Sequence, residues 1–223
     1  EIDAKNPRTR DRLVPKGEVG SSVVWMTAVI SSLVLVGASF MLNRFCFYLS
    51  FPAVLMLFSY SYFKRFSASS HFYLGLVEAA APVGGYIAVT GEFGRVPLVL
   101  GLVILTWIAG LDIVYAIQDI DFDIKEDLHS IPVRLGKKKA LVISAACYIG
   151  SITAMIYAGF LTHKNLPYWT AVLLVGIIFL YQQRLARRKD IALAVKNFFK
   201  VNMYISPILF FGTLTDVFLG QIL

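Results

Sequence analysis

Three aspartates recur at every fourth residue of one polar stretch, at Asp119, Asp123 and Asp127. On a continuous helix this spacing places the three side chains on one face. Like charges repel at that distance, so the arrangement is destabilising unless a cation neutralises it. Carboxylate oxygens suit Mg²⁺, which proteins commonly hold with one or two carboxylates together with substrate phosphates. The alternative is a solvated acidic loop without a ligand, and the surrounding elements bear on that choice.

The segment before the acidic stretch favours a site over a loop. Asp112, Tyr115 and Asp119 follow an i, i+3, i+7 pattern, which places them on one face of a helix. Asp112 lies inside an apolar run, where a carboxylate is costly without a partner. We therefore expect the polar site to extend inward from the acidic stretch along this helix.

The composition is that of a polytopic membrane protein. Of its 223 residues, 57% are hydrophobic and only 16% are charged, whereas about 25% charged residues is usual in soluble domains. Apolar runs near the length that crosses a bilayer recur along the chain. The net charge of +7 therefore concerns topology and lipid contact, and no nucleic-acid partner is expected. Cys46 and Cys147 lack metal-ligand spacing and are interpreted as packing residues.

The predicted fold is all-α, a bundle of seven spanning helices. Eighteen of the 21 basic residues fall in one set of alternate loops, which also holds the acidic stretch. The positive-inside rule places that set in the cytoplasm, for a protein of the bacterial or archaeal cell (inner) membrane. The predicted helices cover residues 20–42, 46–63, 70–90, 97–119, 138–161, 167–184 and 202–220.

Several other polar residues allow two interpretations each. The basic segment 1–19 holds either anionic lipid or, through forked arginines such as Arg8 and Arg12, a phosphate. Tyr60 and Lys64 lie four residues apart and either face one cavity or mark a helix end at the interface. Glu78, within the third helix, is either paired structurally or lines the site.

Two further residues have minor predicted roles. His129 adjoins the acidic stretch and is interpreted as an orienting or capping residue rather than a base. Asn202 is either a helix cap or an edge of the site, and the sequence leaves that open. No two histidines share a metal-ligand spacing, so we expect no zinc site.

Three stretches together resemble the UbiA-type intramembrane prenyltransferases. Asp119-x-x-x-Asp123 resembles the second motif of this family, as do Tyr115 before it and residues 129–136 after it. The segment 64–82 is also similar to the corresponding family segment. Residues 3–12 resemble the tail of the first motif, Asn-Asp-x-x-Asp-x-x-x-Asp, of which only the last member, Asp3, is present. The resemblance implies nine spanning helices. Residues 1–223 would then form one intramembrane prenyltransferase domain that lacks its first two helices.

The resemblance also implies a set of site residues. Mg²⁺ would bridge the aspartates to the diphosphate of a polyprenyl donor, with Asp127 a lower-ranked ligand. The implied metal ligands are Asp3, Asp119, Asp123 and Asp127. The implied catalytic residues are Asp119, Asp123, Lys64 and Tyr115, and the implied substrate-binding residues are Asn6, Arg8, Arg12, Tyr60, Lys64 and Asp112.

The implied reaction transfers the polyprenyl group to an aromatic acceptor through an allylic carbocation. The run at residues 129–136 looks closest to the para-hydroxybenzoate type, which acts in quinone biosynthesis. The competing class is a cation transporter or channel with an acidic mouth, which predicts acidic residues continuing across the bundle. A lipid phosphotransferase that uses the same metal site is a third possibility.

Overall fold

The molecule is an all-helical bundle, seen here in a computed structural model that describes residues 2–188 and 190–222. A 3₁₀ turn, Ile117–Asp119, joins two of the helices. The helices are α1 (Ile2–Lys5), α2 (Ser21–Leu42), α3 (Arg44–Phe63), α4 (Ser70–Thr90), α5 (Arg95–Ala116), α6 (Ile120–Lys125), α7 (Ile131–Leu161), α8 (Leu166–Ala186), α9 (Ile191–Asn202) and α10 (Ile205–Ile222).

The prediction of seven spanning helices is confirmed. Seven helical stretches of the described chain are long and apolar enough to cross a bilayer, and α9 and α10 together supply the last of them. A lipid environment favours this outcome because a helix satisfies all its backbone polar groups internally. Most predicted boundaries lie within a few residues of the observed ones.

Three predicted boundaries were wrong. The run that ends with Lys196 and Lys200 was assigned to a loop, yet it forms α9, whose buried residues Ala194, Val195 and Phe198 share one face. Helix α7 begins at Ile131 and is interrupted at Gly136, whose φ of 77° lies in the left-handed region. The fourth predicted helix leaves α geometry at Ile117, before the acidic stretch.

The core of the bundle is centred on α5. Helices α4 and α7 pack on either side of it, and α4 comes very close at Gly75, where an added Cβ would lie 2.4 Å from the carbonyl oxygen of Leu105. Small residues permit such close approach between helices in membranes. On the α7 and α8 side, the rings of Tyr148 and Phe179 stack at 4.1 Å. By contrast, Ser39 is the only buried residue of α2, whose apolar side chains face outward.

Alternate helix ends gather at two ends of the bundle. The end that contains residues 117–130 is called the acidic end, and the end that contains the α7–α8 connection, residues 162–165, is called the opposite end. At the opposite end Asn43 caps α3 by accepting the N–H of Cys46 at 2.9 Å, and its amide donates to the carbonyl oxygen of Ile87 in α4. These contacts join the start of α3 to the end of α4 at the opposite end.

Candidate active site

Asp119, which follows α5, binds residues of the N-terminal segment. It ends the 3₁₀ turn, and its buried carboxylate receives a two-point contact from Arg8, with Nε 3.1 Å from Oδ1 and Nη2 2.8 Å from Oδ2. Asn6 adds a longer amide contact at 3.5 Å and accepts the Arg8 backbone N–H. Such forked arginine–carboxylate pairs fix geometry as well as charge. Arg8 and Asp119 are 111 residues apart in sequence, so this contact joins the two ends of the predicted site.

Asp123 forms the second ion pair. Its carboxylate is 1% exposed, with Lys64 Nζ 2.7 Å from Oδ2 and the Ser130 hydroxyl donating at 3.3 Å. Lys64 follows directly after α3, and Ser130 caps α7 by accepting the N–H of Val133. The short helix α6, which carries Asp123, therefore meets the end of α3 and the start of α7 at this carboxylate.

The three aspartates do not stack on one helix face, so that prediction is wrong. Helix α6 ends at Lys125, and Asp127 has a left-handed φ of 52° and an exposed side chain. Backbone contacts turn the chain back here, including the N–H of Leu128 to the carbonyl oxygen of Asp123 at 2.8 Å. Asp127 consequently lies outside the group formed by Asp119 and Asp123.

A cavity of about 640 Å³ opens beside the two ion pairs. Asp119, Asp123 and Lys64 line it, and so does Tyr60, one turn before Lys64 on α3. Of the other residues singled out in the sequence, Asp3, Asn6 and Arg8 also line it. The cavity therefore combines two paired carboxylates, a third acid at its rim and several cations.

The remaining N-terminal residues contribute differently. Arg12 is exposed and contacts Asp3 at 3.4 Å, bordering a smaller neighbouring cavity rather than the main one. Arg8 lies over the Tyr115 ring at 4.7 Å and donates to its hydroxyl oxygen. Burial lowers the pKa of the Arg8 guanidinium, but the hydrogen bond and charge of Asp119 more than offset this, so the pKa lies above its ordinary value.

Asp112, on α5, does not line this cavity, although the sequence pattern predicted that it shares a helix face with Asp119. Its Oδ2 lies 2.7 Å from Nδ1 of the buried His71, at the start of α4. Glu78, two turns further along α4, is exposed and forms no ion pair with any described residue. Asn202 ends α9, is half-buried, and accepts hydrogen bonds from Trp107 and Gln182.

Three residues were missed by the sequence interpretation. Ser130 was detectable, because a serine followed at two residues by Pro132 is a strong helix-start signal. His71 and Asp216 carried no comparable signal, since their importance depends on partners far away in sequence. His129, predicted to orient or cap, is exposed, and it is its backbone N–H that donates to the carbonyl oxygen of Lys64 at 2.7 Å.

The carboxylates do not by themselves complete a metal site. Within the described chain, no three His, Cys, Asp or Glu side chains lie close enough to hold a metal ion. Mg²⁺ needs fewer protein ligands, because it is usually held by one or two carboxylates together with phosphate and water. Asp119 and Asp123, bordering a cavity with room for a phosphate ligand, fit that pattern.

Comparison with known proteins identifies the family. Residues 1–206 match the UbiA prenyltransferase family. The chain belongs to the UbiA prenyltransferase family. It is therefore an integral membrane prenyltransferase, and the predicted family membership and enzyme class are confirmed. None of the relatives described below is a transporter, so the transporter alternative is not supported.

UbiA-family relatives match along nearly the whole chain. The 4-hydroxybenzoate octaprenyltransferase of Serratia proteamaculans is 26% identical over 211 residues, 95% of this chain and 72% of the relative. That of Methylobacillus flagellatus is 28% identical over 223 residues, 100% of this chain and 75% of the relative.

Two solved UbiA-type structures share the architecture. The apo structure of a UbiA homologue from Aeropyrum pernix superposes with a TM-score of 0.88 at 27% identity, covering 97% of this chain and 80% of that one. A digeranylgeranylglyceryl phosphate synthase superposes with a TM-score of 0.73 at 19% identity, covering 96% and 76%. The second match supports the fold alone.

Proposed function

We propose that this UbiA-family protein transfers a polyprenyl group from a polyprenyl diphosphate to 4-hydroxybenzoate or a related aromatic acceptor in quinone biosynthesis. The observation that carries the proposal is the pair of buried carboxylates, Asp119 and Asp123, each held by its own cation beside a cavity at the end of a membrane bundle. The names of the octaprenyltransferase relatives support this choice of donor and acceptor.

The charges of the site suit a diphosphate. Arg8, Lys64 and Arg65 all border the cavity and supply positive charge where the leaving group would lie. A diphosphate competes with Asp119 and Asp123 for these cations. As the cations turn toward phosphate oxygens, the two carboxylates become available to a metal ion. Diphosphate binding would thus exchange the Arg8–Asp119 and Lys64–Asp123 ion pairs for contacts between these cations and phosphate oxygens.

Mg²⁺, when bound by Asp119 and Asp123 with Asp3 at the rim, supplies further charge neutralisation for the departing diphosphate. The carbon–oxygen bond of the donor breaks, and its electron pair leaves with the diphosphate, where Arg8 and Lys64 stabilise the growing negative charge. A new carbon–carbon bond forms from the electron-rich ring to the allylic carbon, and the ring then loses its proton to the departed diphosphate or to water. Tyr60 and Phe122 border the same cavity, and their rings stabilise positive charge on the allylic carbon.

The bundle also suits the lipid tail of the donor. Apolar side chains cover α2 and α3 outside the cavity, so a polyprenyl chain can extend into the bilayer while its diphosphate stays at the acidic end. We place that end on the cytoplasmic side of the cell (inner) membrane, because most basic residues lie in the loops that gather there. Residues 1–223 act in this proposal as one intramembrane domain.

The test uses the intact protein in lipid nanodiscs with geranyl diphosphate, 4-hydroxybenzoate and Mg²⁺, with mass spectrometry to detect the prenylated ring. We expect product from the unaltered protein, its loss with EDTA, and its loss in Asp123→Asn. The matched control is Asp121→Asn, which removes an exposed carboxylate two residues away. Absence of any prenylated aromatic with the unaltered protein overturns the acceptor assignment, and full activity in EDTA overturns the metal requirement.

A further inference from the structure

Helix α9 lies beside the candidate site without lining it. None of its described residues borders the main cavity, yet α9 packs against the 3₁₀ turn that carries Asp119. The ring of Phe199, on α9, meets the ring of Tyr115 edge to face, with the two centroids 5.3 Å apart and the planes at 87°. Such aromatic pairs are favourable beyond the apolar area that they bury. This pair therefore joins α9 to the end of α5, just before the acidic stretch.

Hydrogen bonds fix α9 on both sides of Phe199. The amide of the fully buried Gln182, on α8, donates to the carbonyl oxygen of the residue before Phe199 at 3.3 Å and to the side-chain oxygen of Asn202 at 3.3 Å. Trp107, on α5, donates to the same oxygen of Asn202 at 3.1 Å. Breaking such buried contacts is costly, because it leaves polar groups unsatisfied. The backbone around Phe199 is thus tied to α5 and α8, and its ring is held in place.

The ring of Tyr115 also contacts a cation of the site. The guanidinium carbon of Arg8 lies 4.7 Å from the centroid of the Tyr115 ring, and Arg8 donates to the hydroxyl oxygen of Tyr115. A planar guanidinium can interact with an aromatic face and donate hydrogen bonds at the same time. Tyr115 therefore links Phe199, outside the cavity, to Arg8, which lines it.

Donor binding increases the importance of this link. In the ligand-free protein the two-point contact with Asp119 also holds Arg8. Under the function proposed above, Arg8 exchanges that carboxylate for phosphate oxygens. The contact with Tyr115 can persist during the exchange, because a guanidinium has five N–H donors and needs only one for the tyrosine hydroxyl. Tyr115 then keeps Arg8 directed at the cavity while its charged partner changes.

We propose that Phe199 is a positioning residue for the prenyl diphosphate and acts through Tyr115 on Arg8. This inference rests on the proposed function and adds a residue outside the cavity to it. Phe199 touches neither substrate nor metal. Its ring limits the positions open to Tyr115, so less freedom is lost when Arg8 is ordered around the diphosphate. The effect falls on donor affinity.

The experiment is a double-mutant cycle between Phe199 and Arg8, which share Tyr115 as a partner. Isothermal titration calorimetry on the intact protein in lipid nanodiscs with Mg²⁺ measures the Kd of geranyl S-thiolodiphosphate, an unreactive donor analogue. The proteins are the unaltered form, Phe199→Leu, Arg8→Lys and the double variant. Phe199→Tyr keeps the ring and tests rescue. The matched control is Phe93→Leu, which removes another edge-to-face pair, with Phe45, at the opposite end.

We expect Phe199→Leu to raise the Kd by about 5-fold, which corresponds to the loss of one aromatic pair. Phe199→Tyr and Phe93→Leu should stay within about 2-fold of the unaltered protein. In the Arg8→Lys background no planar guanidinium lies over Tyr115, so Phe199→Leu should change the Kd by less than about 2-fold. Thermal unfolding checks that each variant is folded. Phe199→Met lacks the ring but is closer in volume, and it should give the same rise if Phe199→Leu does not fold.

Two results overturn the proposal while leaving the proposed function intact. One is an unchanged Kd in folded Phe199→Leu or Phe199→Met. The other is an equal rise in the unaltered and Arg8→Lys backgrounds, which is the result expected if Phe199 only fills the core. Binding of the analogue without prenylation of any aromatic compound overturns the acceptor assignment and leaves this inference standing. If the unaltered protein does not bind the analogue, the donor assignment fails and this inference fails with it.

Discussion

The two ends of the bundle each contain a buried lysine–aspartate pair, and the pairs differ in what surrounds them. At the acidic end Lys64 Nζ lies 2.7 Å from Asp123, and at the opposite end Lys164 Nζ lies 3.2 Å from Asp216. The aspartates are 1% and 3% exposed, and each accepts a second hydrogen bond. For Asp123 the second donor is Ser130, and for Asp216 it is the backbone N–H of Asn165 at 2.6 Å.

The difference lies on the lysine side. Lys64 is 31% exposed and borders the main cavity, whereas Lys164 is 17% exposed and its residue is fixed further by Trp169, which donates to its carbonyl oxygen. A cation that faces a cavity can exchange its carboxylate for an incoming phosphate. A cation enclosed by a loop and two helices, as Lys164 is, instead crosslinks these elements. The same pair of residue types thus serves binding at one end and stability at the other.

The largest predicted effect concerns the acidic end. Removing both carboxylate charges in the double variant Asp119→Asn/Asp123→Asn should lower kcat by about 1000-fold or more, because the two side chains that would hold Mg²⁺ against the departing diphosphate are lost. Product formation measured by mass spectrometry checks this. Asp216→Asn, assayed in parallel, should retain most of its activity. Comparable losses in both proteins would show that the two pairs do not differ in role.

The next effect, on stability, is expected at the opposite end. Asp216→Ala leaves Lys164 and the Asn165 N–H without their acceptor, and should lower the free energy of unfolding by about 3 kcal/mol. Thermal unfolding followed by tryptophan fluorescence measures the change, with Trp169 close to the altered contact.

The matched control for this prediction is the double variant Lys164→Met/Asp216→Leu. Replacing both partners of a buried ion pair by apolar residues is often neutral, so the double variant should recover much of the lost stability. An unchanged melting temperature in Asp216→Ala would contradict the crosslinking role.

The comparison also shows what the sequence could predict. Helix number and most boundaries followed from apolar length, because a bilayer forces backbone hydrogen bonds to form within each segment. The shared cavity of Tyr60 and Lys64 was one of two interpretations of a four-residue spacing, which local helical geometry allows. The same spacing singled out Asp119 and Asp123, which both line the cavity, although the continuous helix assumed for them is interrupted by the 3₁₀ turn.

Contacts between distant segments were not predictable in this way. His71 and Asp112 are 41 residues apart, and Lys164 and Asp216 are 52 apart, so neither pairing leaves a local pattern. The turn that excludes Asp127 depends on backbone contacts formed after α6 ends. The basic residues of α9 were attributed to a loop because positive charge near a span also marks connections, and charge alone does not separate the two.

A smaller effect is expected when the geometry of a cation at the acidic end is altered but its charge is kept. Arg8→Lys cannot reproduce the two-point contact with Asp119 or the contact with Tyr115, so the KM for the prenyl diphosphate should rise by about 10-fold. The control is Arg12→Lys, because Arg12 is exposed and lies outside the main cavity. This variant should change KM by less than about 2-fold.

The Arg8 effect should not depend on pH in the neutral range. Because the pKa of Arg8 is raised above its ordinary value, its charge is present at every pH below that pKa and is lost only above it. The ratio of donor KM between Arg8→Lys and the unaltered protein should therefore stay constant from about pH 6 to 9, where both side chains remain charged. A ratio that changed across this range would show that another titrating group controls donor binding.

The smallest effect is predicted for Asp127→Asn. This carboxylate shares the acidic end with Asp123 but has neither a lysine partner among the described residues nor a place at the cavity. Asparagine tolerates its left-handed φ of 52°, so the loop should keep its shape. Activity should stay within about 2-fold of the unaltered protein and the melting temperature within about 1 °C, as for other exposed substitutions. A loss approaching that of Asp123→Asn would mean that the loop after α6 rearranges around the bound donor and brings a third carboxylate to the diphosphate.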